Sequence, residues 1–231
     1  MKMTIDIKTP TSWQQLSLEQ LYIVAELLDA NLDRLTLLLV LFCKLAGLKT
    51  TWDKGEMFFV AGKTRFRLEP YQFRQFCDKM AFIIDEKPIY VVNPTKVNDY
   101  LIDVRFGDYF QADALVERYS TTGDVMFIKK AMKRLGGSPH FISKVKANAI
   151  MLWWCGVRGF LKEKYPLVFP DSAGDMTPKS SYEMLQDVLL MLNENRPQDN
   201  KLIEESDVHG VLSALNSKID MYNKQKELLK K

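Results

Sequence analysis

The stretch from 139 to 164 constrains this chain most. Its centre, IMLWWCGVRGF, is apolar nearly all the way round. A surface helix carries a single apolar stripe, whereas a helix apolar on every side has to be covered on every side. The stretch therefore predicts a central helix with several others packed around it. The greasier run LTLLLVLFC at 35 to 43 closes at Lys44 after nine residues. A membrane span needs about twenty, so this run reads as a buried helix.

Helical spacing recurs on both sides of the central stretch. Ser17 followed by Gln20 has the form of a capping box, and Leu18, Leu21, Val24, Ala25 and Leu28 follow at helical intervals. A second helix is expected from about Asp33 to Ala46, stopped by Gly47. Between 48 and 69 the pattern changes to short runs rich in aromatic and β-branched residues: Lys49 to Asp53, Glu56 to Val60 and Thr64 to Leu68. MFFVAGKTRFRL reads as a hairpin turning at Ala61-Gly62-Lys63. Pro70 then opens a helix through about Ile84, and residues 87 to 98, with Pro88 and Pro94, read as a strand or extended connector. A short strand is expected in MKMTIDIKT at the start. From 97 onward every segment reads as helix: 97 to 119, 124 to 135, 139 to 164, 179 to 194 and 206 to 229, with the connector PLVFPDSAGDMTPKSS before the last two. The fold class is mainly α, a helical bundle-like protein with a small β-hairpin or sheet element near residues 48 to 69. Two regions are expected, an α+β region at 1 to 96 and a helical region at 97 to 231.

Function classes can be narrowed by what the residues could build. With 47% apolar and 26% charged residues and a net charge of +3, the chain is neither disordered nor strongly biased toward one class of partner. Cys43, Cys77 and Cys155 are odd in number, far apart and in apolar helical settings, so reduced buried thiols are expected. MKMTIDIKTP has no apolar run of the signal-peptide kind. Gly62-Lys63-Thr64 suggests a phosphate loop, but position 57 is Met57 and a strand follows where that loop needs a helix. The two histidines, His140 and His209, have no ligand-spaced partner, and zinc needs three or four convergent ligands. Asp99 and Asp103 would share one face of the helix expected from 97, as a pair able to flank a cation or serve as acid and base. A solvated face is the plainer reading. No nucleophile elbow or metalloprotease motif is present, and no cofactor is expected. The chain reads as a non-enzyme.

The net charge conceals a cluster. Residues 129 to 164 carry nine Lys or Arg against Glu163, a local +8 that leaves the rest of the chain acidic. The sequence RFGDYFQADALVERYSTTGDVMFIKKAMKRL has the outline of a helix-turn-helix, with Lys129, Lys130, Lys133 and Arg134 beside the stripe Val125, Ile128, Met132 and Leu135. Base-reading helices usually offer Arg, Asn or Gln, and this one offers mostly Lys. An ordinary helical hairpin is therefore favoured, with these four cations as the alternative nucleic-acid contact. Phe58, Phe59, Phe66, Tyr71, Phe73 and Phe76 gather around the β element. Phe73 and Phe76 share a helical face, which favours core over base stacking.

Three segments together, SWQQLSLEQLYIVAELL, RFGDYFQADALVERYSTTGD and GVRGFLKEKYPLVFP with its polar linker and two following helices, resemble the uncharacterised proteins encoded in the tail-gene region of phages and prophages of Bacteroides-type bacteria. The position of those genes is like that of tail assembly chaperones. The resemblance implies a non-enzymatic morphogenesis protein in the host cytoplasm or the virion that binds other phage proteins, tail or virion components. It carries over no functional residues. Tail chaperones are commonly smaller, so the insert at 48 to 69 is a departure that keeps a virion-associated structural role open. The candidate partner surface is the last two helices, with Met184, Val188 and Leu192 on one stripe and Leu212 and Leu215 on the other. The alternative is that the two stripes pack on each other.

Overall fold

The computed structural model describes residues 7–137, 141–170, 181–194 and 196–229. Helix α1 (Leu18–Leu28) opens on the expected capping box: Gln20 N–H donates to Ser17 Oγ at 3.2 Å, and Ser17 N–H donates to Gln20 Oε1 at 2.9 Å. Helix α2 (Arg34–Leu45) starts at Asp33, whose carboxylate accepts from the amides of Leu35 and Thr36. Three strands follow, β1 (Lys49–Asp53), β2 (Glu56–Ala61) and β3 (Thr64–Phe66), paired antiparallel in the order β1-β2-β3. Lys54 and Gly55, with φ of +49° and +82°, make the first turn, and Gly62 at +59° sits in the second. Gly62-Lys63-Thr64 is thus hairpin and not a phosphate loop.

Helices α3 (Pro70–Met80) and α4 (Phe82–Asp85) bring the sheet onto the helical body. Phe42 of α2 stacks on Phe76 at 4.7 Å between ring centroids and meets Phe59 of β2 edge-on at 5.9 Å. Phe73 packs against the same core. The aromatic cluster is therefore largely structural, although Tyr71 is exposed.

The body comprises α5 (Phe106–Thr122), α6 (Val125–Arg134), α7 (Lys144–Lys164), α8 (Ser181–Leu192), α9 (Asn200–Glu205) and α10 (Val208–Leu228). Helix α7 is the central helix expected from its apolar circumference. Trp154 and Leu161 are fully buried, and Trp153 and Ile150 are 1% exposed. Helices α1 and α6 pack on α7, while α5 is flanked by α6, α8, α9 and α10. One hydrophobic core runs from Trp13 to Leu215 and crosses residue 96 without a break. No helix among the described residues is long and apolar enough to cross a membrane. The protein is mainly helical with a small antiparallel sheet.

Several boundaries differ from the periodicity. Residues 97–105 are not helical. Leu101 and Asp103 have φ of +53° and +63°, and Arg105 forms an isolated antiparallel bridge with Asp207, through Phe106 N–H to the Ser206 carbonyl and Val208 N–H to the Val104 carbonyl. Asp99 and Asp103 therefore share no helical face, and Asp99 instead accepts a 3.1 Å hydrogen bond from Trp153 Nε1–H. The shared-face metal or acid–base reading of this pair fails on that geometry. Helix α7 starts at Lys144, after Ser143 has capped it, and not at 139. The end region holds an additional short helix, α9. Of the expected N-terminal strand, residues 7–9 show none, and 1–6 lie outside the described residues. His140 and residues 171–180 of the connector lie outside them as well.

Candidate functional site

The α5–α6 hairpin is built by its turn. Gly123 takes φ of +69°, the left-handed conformation that ends helices and that glycine adopts without a Cβ penalty. Asp124 then caps α6 by accepting from Met126 N–H at 2.9 Å. Helix α6 turns Ile128, Ala131 and Met132 inward, all within 2% exposure. Its opposite face carries Lys130, Lys133 and Arg134. These three, with Arg118, Leu115 and Thr121 of α5, line an open groove of about 1060 Å³. Ala114 and Leu115 supply an apolar floor, and the four cations share the lining with Asp108 and Glu117. Phe127 lies between two of the cations: Arg118 is 5.5 Å and Lys130 5.9 Å from its ring centroid. Arg134 approaches Asp108 at 3.8 Å.

The rest of the local +8 is dispersed. Lys129 is half-buried and does not line the groove. Lys144 pairs with Asp29 of the segment after α1 at 2.7 Å. Arg158 lies between α7 and α5: its Nε–H donates to Asp113 at 2.6 Å and its Nη2–H to Glu117 at 3.1 Å. Burial disfavours the Arg158 charge, but the hydrogen bond and ion pair with Asp113 outweigh that and hold it more firmly protonated than usual. Tyr109, buried beside the same carboxylate, is pushed well above its ordinary range by burial first and the Asp113 charge second. This cluster fixes α5 to α7. It adds no cation to the groove.

The hairpin also departs from a DNA reader. Recognition helices touch base edges with their first residues. Here those residues are Val125, Met126 and Phe127, and the cations sit in the second half of α6. The lining offers apolar contact together with cationic N–H donors.

The stripes on α8 and α10 face inward. Val188 is 5%, Leu212 0% and Leu215 2% exposed, and Met184 and Leu192 pack against the same core. They bury against α5 and one another, so the expected partner surface is closed. Other side chains of α8 and α10 are open: Leu190 and Met191 on α8, and Met221, Tyr222 and Leu228 on α10. Val208, Leu212, Leu215, Ile219, Tyr222 and Leu229 continue one stripe at alternating intervals of four and three, with Lys226 at the remaining step. Core burial stops at Leu215 and Ile219, so the outer end of that stripe projects beyond the body.

Among the described residues no group of three or more His, Cys, Asp or Glu could hold a metal ion. Cys43, Cys77 and Cys155 are free thiols. Burial, then the neighbouring Cys77, pushes the Cys43 thiol up to about 11. No protein-family model matches the chain, and no curated protein or solved structure matches it either.

Proposed function

We propose that this chain is a non-enzymatic assembly protein that works by holding another protein, and that its specific role is in phage morphogenesis, as a tail assembly chaperone or virion-associated component. The observation that carries the reading is the α5–α6 groove, with its apolar floor and the cations Arg118, Lys130, Lys133 and Arg134 around it. An amphipathic helix with acidic flanks is the complement of such a lining: its apolar face covers Ala114 and Leu115 while its carboxylates meet the cations. The phage setting rests on the resemblance of the three sequence segments.

Nucleic acid is the second reading, supported by the same cations. It is weakened by their small number and by Asp108 and Glu117 among them. Co-purification from cells with an induced prophage that encodes the chain separates the two. A phage protein should be recovered with the wild type and lost with Lys130→Glu/Lys133→Glu/Arg134→Glu. Recovery of host nucleic acid alone would overturn it.

A further inference from the structure

A second site lies away from the groove, where α7 meets the connector between α4 and α5. Tyr90, Tyr100, Trp153 and Phe160 line a cleft of about 100 Å³ together with Asp99. The close approach depends on Gly156: a Cβ there would stand 3.3 Å from the amide nitrogen of Val91. Tyr90 is held at φ of +51°, a conformation costly for a bulky side chain. Its hydroxyl donates to Glu163 at 2.8 Å.

The rings are inclined to one another and not stacked face to face. Tyr100 meets Phe160 at 5.1 Å and 64°, and Tyr90 meets Phe160 at 6.5 Å and 63°. The result is a box with walls of different orientation around one opening. Trp153 is buried behind it, while Tyr90 and Tyr100 are 43% and 49% exposed at its mouth. Asp99 sets the charge of the opening, and one of its oxygens accepts from Trp153 Nε1–H. Glu163 adds a second carboxylate beside Tyr90. Of the two lysines in the last turn of α7, Lys164 lies 5.6 Å from the Phe160 centroid and 3.4 Å from His209 Nδ1.

We infer that this box binds the guanidinium of an arginine side chain presented by a protein or peptide ligand. Aromatic faces attract cations through their quadrupoles, and a planar guanidinium stacks on a ring while donating N–H bonds to a carboxylate. Asp99 Oδ2 makes such a donor-bearing cation a better complement than a quaternary ammonium, which has no N–H to give. The inference is independent of the groove: it uses other residues and the opposite charge.

The test is titration of the full chain with N-acetylarginine methylamide, followed by NMR at the Trp153 indole N–H and the tyrosine rings. The expected result is a saturable shift of Trp153, weakened about tenfold by Tyr100→Ala or by Asp99→Asn, a loss of about 1.4 kcal/mol. Tyr90→Phe keeps the ring and should retain binding; Tyr90→Leu should lose it. Circular dichroism and thermal unfolding check that each variant is folded, and both tyrosines lie far enough out for the fold to survive their loss. Absence of a shift in the wild type would overturn the inference. So would tetramethylammonium binding as tightly as the arginine probe, or a response left unchanged by Asp99→Asn.

Discussion

Replacing Asp113 by alanine should be among the most damaging single changes in the body of this protein. Asp113 is 7% exposed and accepts from both Trp154 Nε1–H at 2.7 Å and Arg158 Nε–H at 2.6 Å. Its loss leaves the indole N–H of a fully buried tryptophan unpaired, at a cost of about 1–3 kcal/mol. It also breaks a buried ion pair, worth about 3–5 kcal/mol when one partner is removed. The Arg158 side chain is 39% exposed and keeps Glu117 at 3.1 Å, which places its share at the low end. The two losses share one site and do not simply add, so the expected cost is roughly 4 kcal/mol. Asp113→Asn retains an acceptor oxygen but not the charge, and should lose about half as much. Asp113→Leu/Arg158→Met leaves Trp154 Nε1–H unpaired as Asp113→Ala does and takes Arg158 from the 42% exposed Glu117, but it strands no guanidinium at the buried pair and should be less damaging than Asp113→Ala. Urea denaturation followed by tryptophan fluorescence measures all three. An Asp113→Ala cost under about 1 kcal/mol, or a double variant worse than the alanine, would refute this reasoning.

Phe42→Ala should cost about 4 kcal/mol, since the ring is fully buried between Phe59 and Phe76, and thermal and urea unfolding report it. Cys43 carries a pH signature: burial raises the folded thiol from 9.0 to about 11, so its stabilisation is present below pH 9 and lost as pH climbs toward 11. The loss is about 3 kcal/mol at most, and Cys43→Ala should show a shallower fall in unfolding midpoint across that window. Tyr222→Lys, on the projecting end of α10 and 64% exposed in the parent, should change stability by less than about 0.5 kcal/mol in the same assay.

What could be read from the residues alone was local. The turn at Ala61-Gly62-Lys63 marked the hairpin, Ser17 and Gln20 their capping box, and the apolar centre of 139–164 its central place. The stripe at Val188, Leu212 and Leu215 was legible as a stripe, but the helix that covers it, α5, is distant in sequence. Charge failed as a guide for the same reason. Arg158 is neutralised by residues more than forty positions away and Lys144 by Asp29, so a local sum of +8 described no continuous surface. The break at 97–105 rests on positive φ at Leu101 and Asp103, which neither side chain announces. The aromatic box was equally hidden, because Tyr90, Tyr100 and Phe160 meet only when the connector lies along the glycine face of α7.

The groove itself is tested most directly by equilibrium binding at physiological salt, about 0.15 M. Two labelled probes are compared: a synthetic helical peptide with leucine and glutamate at heptad spacing, and a DNA duplex of arbitrary sequence. The peptide should bind more tightly, and Lys130→Glu/Lys133→Glu/Arg134→Glu should weaken it by tenfold or more, about 1.4 kcal/mol or above. Duplex binding tighter than the peptide, falling with salt at a log–log slope of about −4 or steeper and abolished by the same triple variant, would contradict it.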